Sequence, residues 1–271
     1  MIYFGNELYH HGVLGMKWGV RRYQNYDGTM INSSKSFEQT KSEVVKKASN
    51  IAKPFKREPL NTTTAKLRGK LTESEIFKCS KLANNIFKKA SKEEPAITKD
   101  LIQSAKHVNA KMYGLENRLK QPTSLTAKIG SDAKEKSKSF EDTAKSIKDS
   151  VRYTVISDDK NFVKNYNSVK KDLESKGYSE TRCKNYFEKY KNGEVQHKAV
   201  QTNYKNQNGF EFEIQFQTPS SQAAKELKLP LYEERRQTGN SDLRNAELER
   251  EMHDLAEKVP YPSRISKIKS H

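Results

Sequence analysis

The stretch FEFEIQF, Phe210–Phe216, alternates without a break. Side chains along a β-strand point to opposite faces in turn, so Phe210, Phe212, Ile214 and Phe216 share one face and Glu211, Glu213 and Gln215 the other. Upstream, Asn206-Gln-Asn-Gly209 reads as a turn, and Val195 to Tyr204 alternates weakly. Two strands about a short polar turn make a hairpin. Further upstream, Phe162, Tyr166, Val169 and Leu173 stand at helical spacing, and Gly177 ends that helix with a left-handed cap. Val151-Arg-Tyr-Thr-Val-Ile156 is β-branched and aromatic, and reads as another strand.

Working outward, Thr72-x-x-Glu75 is a capping box, followed by Ile76, Cys79, Ala83, Ile86 and Ala90 at helical spacing. Pro95 suits the first turn of a second helix carrying Ile97, Leu101, Ala105 and Val108. A third helix is expected over Ser137–Lys148, and a last one over Asp242–Lys258, stopped by Pro260 and Pro262. Helices first, then a mixed sheet, then a helix give an α+β fold with helices flanking a mixed sheet.

Composition bounds what surrounds this domain. Hydrophobic residues are 33% of 271 and the mean hydropathy is −0.99, low for a chain packed throughout. The net charge of +17 and pI near 9.6 favour polyanionic partners. Residues 31–70, rich in Ser, Thr, Asn and Lys, read as a basic flexible linker with a short helix over Phe37–Ala52. The expected division is 1–30 as a docking segment, 31–70 as linker, 71–262 as the folded domain and 263–271 as a basic tail. Cys79 and Cys183 lie far apart, with no metal-ligand spacing and no disulfide framework, which suits a reducing compartment. No run reaches the roughly 18 apolar residues of a membrane span, and Glu7 and two histidines interrupt any signal peptide. The expectation is synthesis for the cytosol, or for an assembly built there.

Three groups of residues could carry chemistry. Glu211, Glu213 and Gln215 form either a solvated strand face or part of a site. Asp149 stands just before the strand at Val151, and Arg152 follows it. Carboxylates on adjacent strands could hold Mg²⁺, a hard cation that takes oxygen ligands and phosphates. Arg118, Lys120 and Lys128, with Ser124 near a helix N-terminus, either cradle a triphosphate or are ordinary surface charge.

The order of RLKQPTSLTAK, DSVRYTV, EFEIQFQTPSS and KELKLPLYEERR resembles the RelA/SpoT-like nucleotide pyrophosphokinases, in particular their compact phage and toxin branch. The resemblance covers about Leu71 to Tyr261. It implies a nucleotidyltransferase-like sheet flanked by helices. The implied reaction moves the β,γ-pyrophosphate of ATP to a 3′-hydroxyl of a purine nucleotide or of tRNA. On the matching positions, Arg118, Lys120 and Lys128 would grip the ATP phosphates, with Ser124 beside them. Asp149 and Glu213 would bind Mg²⁺, Glu213 would also help the 3′-hydroxyl lose its proton, and Arg152 would stabilise the charge on the transferring group. Gln215 and Thr218 would shape the floor. The segment that often reads Tyr-Lys-Gly-Ile-Asn in that family is His197-Lys198-Ala199-Val200-Gln201 here, so His197 and Lys198 would meet the acceptor. Gln217 and Leu229 stand where the family often has His.

The opening segment HHGVLGMKWGVRRYQN, His10–Asn25, resembles an N-terminal segment found on assorted proteins of phages that infect Gram-positive bacteria. Trp18 would be a docking anchor and Arg21 and Arg22 salt-sensitive attractants, with capsid or tail proteins as the implied partners. That places the chain in a virion, in the host cytoplasm, or in both. Two other readings stay open: an inert virion interaction protein built on the same domain, and a basic nucleic-acid-binding module.

Overall fold

The computed structural model describes residues 36–54, 71–191, 197–235 and 240–271. Trp18, Arg21 and Arg22 lie outside them. The fold is α+β, with one five-stranded mixed sheet flanked by helices. In chain order the elements are α1 (Phe37–Lys47), α2 (Glu73–His107), β1 (Lys111–Tyr113), α3 (Pro122–Glu135), α4 (Phe140–Lys145), β2 (Arg152–Ile156), α5 (Phe162–Ser175), β3 (Ser179–Asn185), α6 (Tyr186–Lys191), β4 (Val200–Lys205), β5 (Glu211–Gln217), α7 (Pro219–Arg235) and α8 (Asp242–Glu257). The strands lie in the order β1-β2-β5-β4-β3, and β2 and β5 are parallel while the other pairs are antiparallel.

The alternation of Phe210–Phe216 settles the layers. Phe212, Ile214 and Phe216 on β5 lie buried beside Tyr153 and Val155 of β2 and Tyr204 of β4. Against them pack Ile97, Leu101 and Ala105 of α2 and Tyr166, Val169 and Leu173 of α5. Each such side chain contributes about 1.5–3 kcal/mol when fully buried. Tyr166 and Phe216 meet edge to face at 5.1 Å, while Tyr204 and Phe212 stack. A second cluster joins Cys79 and Ala83 of α2 to Leu125 and Ile129 of α3 and Ala144 of α4, which fixes α3 against α2.

Several expectations need correction. Pro95 does not start a helix: α2 runs 35 residues through it from the Thr72 capping box. Apolar contacts on both sides of Pro95, from Ala90 to Ile97 and Leu101, hold the helix together where one backbone hydrogen bond is missing. The helix expected over Ser137–Lys148 is the short α4, because Ser139 caps its start and α3 occupies residues up to Glu135. Strand β4 begins at Val200, and residues 195–196 lie outside the described ones.

The span read as linker is partly folded onto the domain. α1 packs against α7, with Val44 and Ala48 buried against Ile156 and Ala223. Ser49 then pairs its backbone with Met112 of β1. The basic tail also docks. Ile265 and Ile268 are buried in the main core, and His271 exchanges two backbone hydrogen bonds with Cys183. Apolar residues between the charges decide both cases.

Candidate active site

The face of the sheet opposite the aromatic core carries polar side chains. In the β2–β5 ladder Arg152 stands opposite Glu213 and Thr154 opposite Gln215. In the β5–β4 ladder Gln201 stands opposite Gln215 and Asn203 opposite Glu213. Residues paired across strands point to the same face, so Arg152, Glu213, Gln215 and Gln201 share one surface. It is not the solvated strand face that alternation alone allows. Glu213 is only 4% exposed. Its carboxylate accepts from the Gln201 amide and, at 2.6 Å, from the Gln215 amide. Both carboxylate oxygens of Glu213 thus accept from neutral amides.

Lys120 and Lys128 converge on Asp149. Lys120 Nζ donates to Oδ2 at 2.5 Å, and Lys128 Nζ lies 2.9 Å from both carboxylate oxygens. Local structure fixes this meeting. Lys120 donates its backbone N–H to Ser150 O, and Leu119 bridges to Val151, which brings the residues before α3 alongside the entrance of β2. Lys128 lies two turns into α3 and reaches back. Burial raises the Asp149 carboxyl, but the two ammonium groups outweigh it and hold the pKa at about 2. Lys120 is lowered all the same, because burial of its ammonium exceeds the attraction of Asp149. The contact therefore favours the carboxylate and leaves Lys120 under-compensated, a state that a bound polyanion would relieve. Ser124 is the third residue of α3, in the turn whose backbone N–H groups lack partners within the helix.

Arg118 is elsewhere. Its Nε donates to the buried carboxylate of Glu94 on α2, and its Nη1 to the backbone oxygens of Lys53 and Leu115. Those bonds tie the segment after α1 to α2 through Nε and Nη1 of the guanidinium.

Beyond Gln201 and Gln215 the polar face opens into a concavity of about 500 Å³. His197 and Lys198 line it, and so do Lys225, Lys228 and Arg235 of α7. Lys225 donates to Gln215 Oε1 at 2.7 Å, which links the concavity to the Glu213 network. Burial of its ammonium, then the neighbouring Arg152, lower Lys225 to about 8, although much of its stem is exposed. Burial and Lys198 lower Lys228 to about 8. The His197 ring stands 4.2 Å from that of Tyr186; the residue is exposed overall, but desolvation of the ring, followed by the charges of Lys228 and Lys225, lowers its pKa to about 4. Lys198 is lowered by burial. It donates to Val259 O at 2.8 Å between the rings of Tyr190 and Tyr261, so it supports the wall.

The cations of α7 escaped the sequence reading. Their signal was present: Lys225, Lys228, Tyr232 and Arg235 recur at three- and four-residue steps, one face of a helix. Pro230 within the segment obscured the helix.

Asp149 and Glu213 are hard oxygen donors, one at the entrance of β2 and one on the adjacent strand. Carboxylate oxygen is the ligand type that Mg²⁺ takes. Among the described residues no helix is long and apolar enough to cross a membrane.

Comparison with known proteins adds the following. A family of unknown function (DUF7211) matches residues 2–25. None of the curated proteins matches the chain. Among the solved structures similar to the chain are these two. The small alarmone synthetase 1 from Bacillus subtilis, bound to its product pppGpp, is 16% identical over 63% of this chain and 87% of its own, with a TM-score of 0.42. The complex of the Type VI effector Tas1 with its immunity protein is 14% identical over 68% of this chain and 96% of that one, also with a TM-score of 0.42.

Proposed function

We propose that the chain is a nucleotide pyrophosphokinase of the RelA/SpoT-like type, moving the β,γ-pyrophosphate of ATP to the 3′-hydroxyl of a purine nucleotide or of a tRNA end. One observation carries the reading: Lys120 and Lys128 meet on Asp149 at the entrance of the strand whose Arg152 stands opposite buried Glu213. A donor triphosphate would lie along α3 and the entrance of β2, drawing Lys120 and Lys128 from Asp149 to its own oxygens. Asp149 and Glu213 would then hold Mg²⁺, which supplies charge neutralisation for the phosphates. The acceptor would occupy the cationic concavity, its phosphates near Lys225, Lys228 and Arg235 and its base near His197 and Tyr186. Glu213, fixed by two amides, would take the proton of the 3′-hydroxyl as the oxygen attacks the β-phosphorus, while the bond from that phosphorus to the α,β-bridging oxygen breaks and AMP leaves. Arg152 would stabilise the charge that builds on the transferring group. Arg118 would act at a distance, by holding α2 and the segment before α3 in place.

The N-terminal segment would deliver this domain to a larger assembly, with phage capsid or tail proteins as partners and the virion or host cytoplasm as its place of action. That part of the reading rests on the sequence resemblance.

The test incubates the full chain with γ-labelled ATP and Mg²⁺ beside GDP, GTP, ADP, ATP and deacylated tRNA in parallel. Label is expected on one acceptor class and absent with Glu213→Gln. If no acceptor is labelled while ATP still binds, the domain is a binding module and the enzyme assignment fails.

A further inference from the structure

A second cluster lies on the aromatic-core face of the sheet, beyond the polar surface described above. Strand β3 pairs with β4 through Glu180–Tyr204 and then Arg182–Asn203, so Thr181 is an extra residue in the ladder. The bulge resets the alternation and turns Glu180 to the same face as Cys183. On the other edge of β3, Cys183 N donates to His271 O at 3.0 Å and His271 N to Cys183 O at 2.9 Å. Residues that exchange both backbone bonds face each other with side chains on one side. Three metal-ligating side chains thus meet that no spacing along the sequence brings together. One ligand atom from each of Glu180, Cys183 and His271 lies within 4.8 Å of the others.

The surroundings suit a cation. Glu180 is 2% exposed and accepts from the hydroxyls of Tyr166 at 2.9 Å and Tyr204 at 3.0 Å on Oε2. Those bonds orient the carboxylate, as outer partners do around metal ligands. Oε1 faces His271 Nε2 at 3.4 Å and Lys170 Nζ at 2.6 Å. Lys170 has a second carboxylate in reach, Glu174 at 4.0 Å, to which it can turn. Cys183 Sγ lies 3.5 Å from the Tyr166 hydroxyl. The His271 ring is half exposed and leaves one side open for a water ligand. In a tetrahedral zinc site, sulfur and nitrogen ligands stand about 3.5 Å apart, which side-chain rotation at His271 can reach.

We propose that Glu180, Cys183 and His271 form a binding site for Zn²⁺ or a cation of similar softness. A thiolate, an imidazole and a carboxylate are the donor set that zinc takes. On binding, the S–H bond of Cys183 breaks, the S–metal bond forms and the proton leaves to solvent, while Lys170 moves from Glu180 to Glu174. The bound ion fastens residues 263–271 to β3.

The full chain, stripped with a chelator, is titrated with Co²⁺ as the spectroscopic probe. A thiolate-to-cobalt charge-transfer band at one ion per chain is expected, displaced by Zn²⁺ and absent in Cys183→Ser. His271→Ala, at an exposed ring, should fold normally and bind roughly tenfold more weakly or worse. Cys79→Ser, and His10→Ala with His11→Ala, should leave the band unchanged. No band in the wild type, or a band that keeps its affinity in His271→Ala, overturns the site. So does a band that vanishes with Cys79 or with His10 and His11.

Discussion

Lys128 and Lys228 are the residues on which the two halves of the site can be tested separately. Lys128 touches both oxygens of Asp149 and sits where a donor phosphate would displace that carboxylate. Lys128→Ala should weaken ATP binding by about 1.5–3 kcal/mol, the size of a charge-assisted hydrogen bond, as read by calorimetry. Unchanged affinity removes the residue from the triphosphate site. Lys228 is 9% exposed and its folded-state pKa of about 8 lies below the ordinary 10.5. Between those values the unfolded chain binds the extra proton, so this residue's contribution to stability rises with pH from 8 to 10.5. Below pH 8 the folded chain carries the full cost of a buried charge. Lys228→Met should therefore be more stable than the wild type at pH 7, by on the order of 1–3 kcal/mol. The gap should close as pH climbs through that window in parallel chemical denaturation. The same variant should bind a polyphosphate acceptor more weakly at pH 7. A variant that is less stable at every pH would show that Lys228 is a structural partner rather than a charge held for a ligand.

Among the elements, those with an apolar period were legible and those held by other means were not. β5 shows itself through Phe212, Ile214 and Phe216, and α2 through Cys79, Ala83 and Ala90. Strand β3, SETRCKN, has no such alternation, because its bulge breaks the period and its neighbours supply the hydrogen bonds. Pro95 and Pro230 carry the local signal of a helix boundary, and tertiary packing overrides it at both. The site divided in the same way. His197, Lys198 and Gln215, singled out from the sequence, line the concavity, while the α7 cations lay hidden in a segment not read as helix. The Gly177 cap was legible and gives a test at this scale. Its φ is +88°, and a Cβ there would strike the Gln207 side chain. Gly177→Ala should cost about 1–2 kcal/mol, seen as a lower denaturation midpoint with an unchanged m-value. No loss would mean that the α5–β3 connection relaxes freely.

For the whole molecule, the boundary of the folded body lies further toward the N-terminus than composition indicates. Deleting residues 1–35 leaves α1 and its contacts with α7 in place. Deleting residues 1–65 strips α1 from Ile156 and Ala223 and should cost several kcal/mol, about 2–5 for the equivalent of one large core truncation. Thermal unfolding of the two truncations checks this, and equal stabilities would mean that α1 is an accessory. The anchor segment is tested by recruitment. Trp18→Ala should weaken co-purification with assembling capsid or tail components by about thirtyfold, or 2 kcal/mol. Equal recruitment of both forms would remove the docking role. The parallel β2–β5 ladder has a consequence of another kind. It joins residues 152–156 to residues 213–217 at the centre of the sheet. Such a non-local pairing forms late, because a long loop must close before any contact rewards it. While the chain is being synthesised, Asp149 and Arg152 emerge without Glu213, Lys225 or Lys228 beside them. A ribosome that has not yet released residues 213–228 therefore carries only part of the proposed site. If the proposed activity harms the cell that makes it, the order of translation withholds it until Glu213 and Lys228 have emerged.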